Sequence, residues 1–135
     1  MTDILKEIVR QYLELVWNTG DQEAFYKLTA PNFTYKFPRH PDRGQSEMID
    51  FLNTFRNAFP DWRIQIDNMI AEENQVAISW SGIVTHLGDF SGIPATGKKI
   101  NVSGINIYQF EGNKITAEFE QSDIFGMVLQ MGQFK

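Results

Sequence analysis

The chain has 135 residues, 42% of them apolar, which suits one compact domain with a real core and excludes a disordered chain. Its net charge is −5 and no Lys/Arg run exceeds Lys98-Lys99, so no nucleic-acid partner is expected; with no cysteine, disulfides, thiolate metal sites and cysteine nucleophiles are excluded. No cationic apolar leader and no apolar run of membrane-spanning length is visible, so the expected location is cytoplasmic, with no membrane partner.

Ile4, Leu5, Ile8, Val9, Tyr12, Leu13 and Val16 recur at intervals of three and four, which predicts a first helix. Thr2 caps it and Asn18-Thr19-Gly20 stops it. Asp21 is the expected cap of a short second helix ending at Pro31. Phe33, Tyr35 and Phe37 alternate with polar residues, the mark of a strand, and Pro38 to Gly44 is a loop. Ser46 opens a third helix carrying Met48, Ile49, Leu52, Phe55 and Phe59, closed by Pro60-Asp61.

Strands follow. Trp62 to Ala71 alternates roughly and turns at Glu72-Glu73-Asn74. Val76, Ile78, Trp80, Gly82, Val84 and His86 share one face of the next strand. A loop from Gly88 to Lys99 leads to a hairpin, Ile100 to Phe110 and Lys114 to Ser122, about Glu111-Gly112. A short apolar helix follows Asp123. Helices first and long antiparallel strands after them indicate an α+β domain without linker or repeat. Helices over one face of a strongly curved antiparallel sheet would enclose a cone with an open mouth.

Asp123 ends the last predicted strand and admits two readings. Buried among Phe119, Ile124, Phe125 and Met127, its carboxyl would resist ionisation and suit proton transfer. Placed before an apolar helix, it is equally a strong N-cap. Strand alternation puts Phe119 and Gln121 on the face of Asp123, as pocket wall, and sends Glu118 and Glu120 to the opposite face, towards solvent or an interface. Gly104, Asn106 and Tyr108 share a face of their own strand. Asn106 is placed to donate a hydrogen bond to a carbonyl oxygen becoming an enolate. Tyr108 suits the same task, or the anchoring of a helix.

His86, where its strand enters the Gly88 loop, and His40, in the Pro38–Gly44 loop, are expected near the mouth as pocket lining or a second acid/base. Two histidines without close spacing or a carboxylate partner make no ligand set, so neither metal nor cofactor is expected. Eleven Phe, four Tyr and three Trp exceed what a small core needs. Tyr12, Trp17, Tyr35 and Phe37, with Phe55, Phe59, Trp62 and Trp80, fill the core or line a cavity. As a group they favour a flat aromatic ligand.

Four segments carry a family resemblance: AFPDW (Ala58 to Trp62), THLGDFSGIPATGKK (Thr85 to Lys99), GINIYQFEGNKI (Gly104 to Ile115) and EFEQSDIFGMVLQMG (Glu118 to Gly132). With this layout the chain resembles the SnoaL-like polyketide cyclases and related ester cyclases, of the nuclear transport factor 2-like superfamily. The resemblance implies a single SnoaL-like domain over 1–135 with a cystatin-like, cone-shaped α+β barrel, a homodimer formed across the outer sheet face, and a small apolar or aromatic carbonyl ligand. It implies ring closure by intramolecular aldol condensation without metal or cofactor. The family's acid/base aspartate is matched to Asp123. Where some members carry a supporting histidine, this chain has Asn106, so the acid stands without that partner. Two alternatives stay open. One is a non-catalytic small-molecule binding module of the same fold. The other is an epoxide hydrolase, which needs a carboxylate–arginine–carboxylate relay with Arg56 or Arg63 as the arginine.

Overall fold

In the computed structural model, which describes residues 2–132, the first periodic stretch forms α1 (Thr2–Gln11). The helix then widens to a π-helical segment, Tyr12–Trp17. Its carbonyls are met five residues on, as where Asn18 N–H donates to Leu13 O at 2.9 Å. Tyr12, Leu13, Val16 and Trp17 are buried along it, continuing the buried side of α1. Ile4, expected on that face, is 52% exposed. Asp21 caps α2 (Gln22–Leu28) as expected, accepting from Ala24 N–H at 3.0 Å.

That helix stops before Pro31, because β1 (Thr29–Lys36) begins at once and takes the proline into a strand. β1 is a sheet edge and its register shifts between Thr29 and Thr34, the settings in which a missing N–H is tolerated. In α3 (Gln45–Ala58) the Glu47 carboxylate accepts Gly44 N–H at 2.9 Å, and Met48, Ile49, Leu52 and Phe55 form its buried stripe.

β2 (Ile64–Glu72), β3 (Gln75–Thr85), β4 (Lys99–Glu111) and β5 (Lys114–Ser122) form an antiparallel meander. The sheet order is β1-β5-β4-β3-β2, with β1 parallel to β5. The sheet is therefore mixed and open, where an all-antiparallel sheet was expected. Parallel neighbours need a long crossover, and α3 with three strands supplies it. β3 buries Val76, Ile78, Trp80 and Val84 on the predicted face, and the helices cover that concave side. The short α4 (Ile124–Gln130) returns over the end of the sheet and buries Met127.

One irregularity decides where the chemistry lies. Gln109 pairs with Ala117 but Phe110 pairs with Ile115, so Thr116 is an extra residue bulged out of β5. Ile115 faces the core before the bulge. After it the inward positions are Glu118 and Glu120, opposite Tyr108 and Asn106. The expectation that Glu118 and Glu120 face solvent is overturned: unbroken alternation through Thr116 gives the wrong face. Among the described residues, no helix is long and apolar enough to cross a membrane.

Candidate active site

Glu118 is fully buried and Glu120 is 6% exposed, on the concave face of a central strand. Tyr12 reaches across from the π-helical segment and donates to Glu118 Oε1 at 2.7 Å. Tyr108 donates to Glu118 Oε2 at 3.0 Å. Asn106 Nδ2 serves both acids, donating to Glu118 Oε2 at 2.9 Å and Glu120 Oε1 at 3.2 Å. The amide is held in that orientation by Trp80, whose Nε1–H donates to Asn106 Oδ1 at 2.8 Å. Gly104 makes room for this: a Cβ there would stand 2.5 Å from the Trp80 ring and 2.9 Å from Gln121 O.

Burial, then the charge of nearby Glu120, pushes the Glu118 carboxyl up to about 7, against the bonds from Tyr12, Tyr108 and Asn106. Burial also raises Glu120. Ser122, Asn106 and Tyr35 moderate that rise, although the Ser122 and Tyr35 hydroxyls complete no hydrogen bond. Burial and the Glu118 charge raise Tyr12 and Tyr108, so both remain protonated donors near neutral pH. Two buried acids joined through one amide titrate as a coupled pair.

Of the two acids, Glu120 lines an apolar pocket with Asn106 and Ser122. Its walls are Trp17, Phe55, Trp62 and Trp80, with Leu13 and Ile64; Ile124 and Met127 of α4 close it. The enclosed space is about 10 Å³, room for roughly one water, so a larger ligand needs α4 to yield. Gln130 ties α4 to β4 through the Asn101 backbone, accepting from its N–H at 2.7 Å and donating to its carbonyl at 2.9 Å.

The structure thus brings Asn106, Trp17, Phe55, Trp62 and Trp80 to one pocket, with Tyr12 and Tyr108 behind it on Glu118. Tyr35 is buried beside β5, and Phe59 packs in the core 5.6 Å from the His86 ring. His86 is fully buried rather than at the mouth. The Gly88 loop folds over it, its Nδ1 meets Thr96 Oγ1 at 3.0 Å, and it lines no part of the pocket. His40 is exposed and stacks on Phe37, 5.3 Å between ring centres. Phe37 and Phe119 line a groove on the outer sheet face, and Gln121 is exposed there.

Asp123 is exposed and outside the pocket, because the bulge turns its face outward. Its Oδ1 accepts Gly126 N–H at 2.9 Å, which makes it the N-cap of α4. Asp123→Ala should therefore lower stability by about 1 kcal/mol and Asp123→Asn by far less, read from urea midpoints; equal, negligible losses would contradict the capping role. Arg56 donates to the carbonyls of Trp17 and Asn18, and Arg63 pairs with Glu14 at 2.9 Å on the surface, so neither enters the pocket. Leu13, Ile64, Glu120 and Ser122 are pocket residues that the sequence analysis missed, while Ile124 and Met127, expected around Asp123, line the pocket without it. For Leu13, Glu120 and Ser122 the only signal is proximity to the hairpin end and to the first helix.

A mixed sheet curved under helices, with the buried acid Glu120 facing an apolar pocket, matches the nuclear transport factor 2-like cone fold. Residues 6–131 match the model of the SnoaL-like polyketide cyclases, and the chain belongs to that family. A candidate polyketide cyclase from Acidithiobacillus ferrooxidans is 32% identical, with 98% of this chain and 96% of that one covered, at a TM-score of 0.84. AclR, a candidate hydroxylase from Streptomyces galilaeus, shares the fold at a TM-score of 0.90 and 19% identity, covering 100% and 89%. A candidate SnoaL-like polyketide cyclase from Jannaschia sp. CCS1 does so at 0.91 and 16%, covering 99% and 95%. No curated protein matches the chain significantly.

Proposed function

We propose that the chain is a metal-free and cofactor-free cyclase- or isomerase-type enzyme acting on an aromatic or other apolar carbonyl compound, with Glu120 as the acid/base. Family membership supports the cyclase class. The observation that carries the finer reading is a carboxyl group in an apolar pocket, its pKa raised by burial, beside a second buried acid. Glu120 takes a proton from the carbon next to a carbonyl, and the C–H electron pair moves onto the carbonyl oxygen as an enolate. In a cyclase, the enolate carbon then attacks a second carbonyl of the same molecule, forming one C–C bond. The resulting alkoxide takes the proton back from Glu120. Oxidation states balance within the substrate and the enzyme ends as it began.

Exchange of the α-hydrogens of β-tetralone in deuterium oxide, followed by proton NMR, tests this reading. Catalysed exchange above the buffer rate is expected. Binding without any catalysed exchange would favour the non-catalytic binding module.

The same reading includes a homodimer formed across the outer sheet face. Ile105 is 57% exposed and Ile107 39%, side by side with Phe119 on one surface, and a partner would cover them. Sedimentation at tens of micromolar should give twice the chain mass, and Ile105→Glu should halve it. A wild-type monomer would sink the dimer.

A further inference from the structure

Three indoles meet in the pocket region, and they differ in one respect. The Trp80 N–H is satisfied by Asn106 Oδ1 at 2.8 Å. The N–H groups of Trp17 and Trp62 are fully buried and have no partner among the described residues, although both residues line the pocket. The residues are each only 4% exposed, and their rings lie 6.0 Å apart at an interplanar angle of 39°. Buried donors are almost always paired, by protein, by water or by a ligand. An indole N–H can only donate, so whatever satisfies it must present an acceptor atom. Neither ring is fixed by chance contact: Trp17 packs edge-on to Phe55 at 6.1 Å, and Phe55 packs edge-on to Trp62 at 5.3 Å. The two donors are thus held in place ahead of any ligand, in the same pocket that Glu120 enters.

We infer that Trp17 and Trp62 form the oxygen-binding element of this pocket, their N–H groups receiving a carbonyl oxygen of the ligand. The assignment names the specificity residues of the site and rests on the acid–base reading above. A neutral carbonyl fits better than a carboxylate ligand, because the pocket already holds one buried acid with a second behind it. When Glu120 removes the neighbouring proton, the negative charge grows on the oxygen that these donors hold. Donors fixed in an apolar surround stabilise such charge without having to reorient. The arrangement divides the labour: the acid side of the pocket handles the proton and the indole side handles the oxygen. Trp80 takes no part in the second task, since its donor is committed to orienting Asn106.

The test uses indole proton–nitrogen NMR of the whole protein, with β-tetralone and its oxygen-free analogue tetralin as probes. Trp17→Phe and Trp62→Phe assign the resonances. β-Tetralone should move the Trp17 and Trp62 N–H protons downfield and leave Trp80 near its place. Tetralin should cause no such downfield shift. Each Trp→Phe change removes the donor and also trims indole to phenyl, so both probes should weaken, β-tetralone about tenfold more than tetralin. Equal loss for both probes, or saturation by β-tetralone without the two shifts, overturns the assignment and leaves the indoles as packing. Failure of β-tetralone to bind also overturns it. The wild-type spectra keep the test valid if a variant does not fold. Both shifts without catalysed α-hydrogen exchange would remove the acid–base reading alone, and exchange without the shifts would remove this assignment alone.

Discussion

Glu120→Gln should reduce catalysed exchange of β-tetralone α-hydrogens by about a hundredfold or more, as expected for loss of a general base. The substitution keeps the volume and leaves an oxygen to accept from Asn106 Nδ2, which now stands 3.2 Å from Oε1. It removes a charge from a site that is 6% exposed, so the domain should remain folded and become no less stable at pH 8. The same change deletes the neighbouring charge that helps hold the Glu118 proton, so the Glu118 carboxyl should titrate lower in the variant. Exchange at the wild-type rate in Glu120→Gln would remove Glu120 from the chemistry. Asp123→Asn supplies the matching control, because an exposed cap outside the pocket should not affect exchange.

Asn106→Leu should be the most damaging single change to stability near neutral pH. Leucine fills similar space but donates nothing. Two hydrogen bonds to buried acids disappear, each worth roughly 1.5–3 kcal/mol when the acceptor is charged, and the Trp80 N–H loses its acceptor. A loss of about 3 kcal/mol or more is expected at pH 8. The pH dependence has a definite sign. The Glu118 carboxyl is raised in the folded protein from an unfolded value of 4.5 to about 7, so the folded state holds the proton more tightly. This contribution to stability is fully present below the unfolded value and is lost as pH rises through about 7. Removing the shared donor should steepen that fall, so the variant should lose most stability at pH 8 and least near pH 5. Urea unfolding across this range measures it. A loss below 1 kcal/mol at every pH would mean that the amide does not hold the pair together.

The fold was largely legible in the chain. Helical periodicity from Leu5 to Val16, the Asp21 cap, the alternation of β3 and the final hairpin all appear where local chemistry puts them. Trp17, four residues after Leu13, continues the buried stripe of the first helix, but the π-helical turn that carries it has no sequence mark. The site was half legible. Asn106 and Tyr108 share the inward face that alternation predicts. Their partners Glu118 and Glu120 were placed on the wrong side, and Asp123 on the inner one, by a single residue. Thr116 is an ordinary strand residue, yet it bulges, and a slip of one residue exchanges the two faces of a strand. His86 was misplaced for another reason. Its position at the strand end suggests a rim, but the Gly88 loop folds over it through Gly97 N–H to His86 O at 2.8 Å.

Titration of the glutamate side-chain carboxyls by carbon-13 NMR, with Glu118→Gln and Glu120→Gln to assign the two resonances, tests the desolvated acid pair most directly. Glu118 should titrate near 7 and Glu120 above the ordinary value of 4.5, each sensing the other's proton. Both carboxyls titrating independently at or below 4.5 would mean solvated or fully compensated acids, and would contradict a desolvated acid–base pair in this pocket.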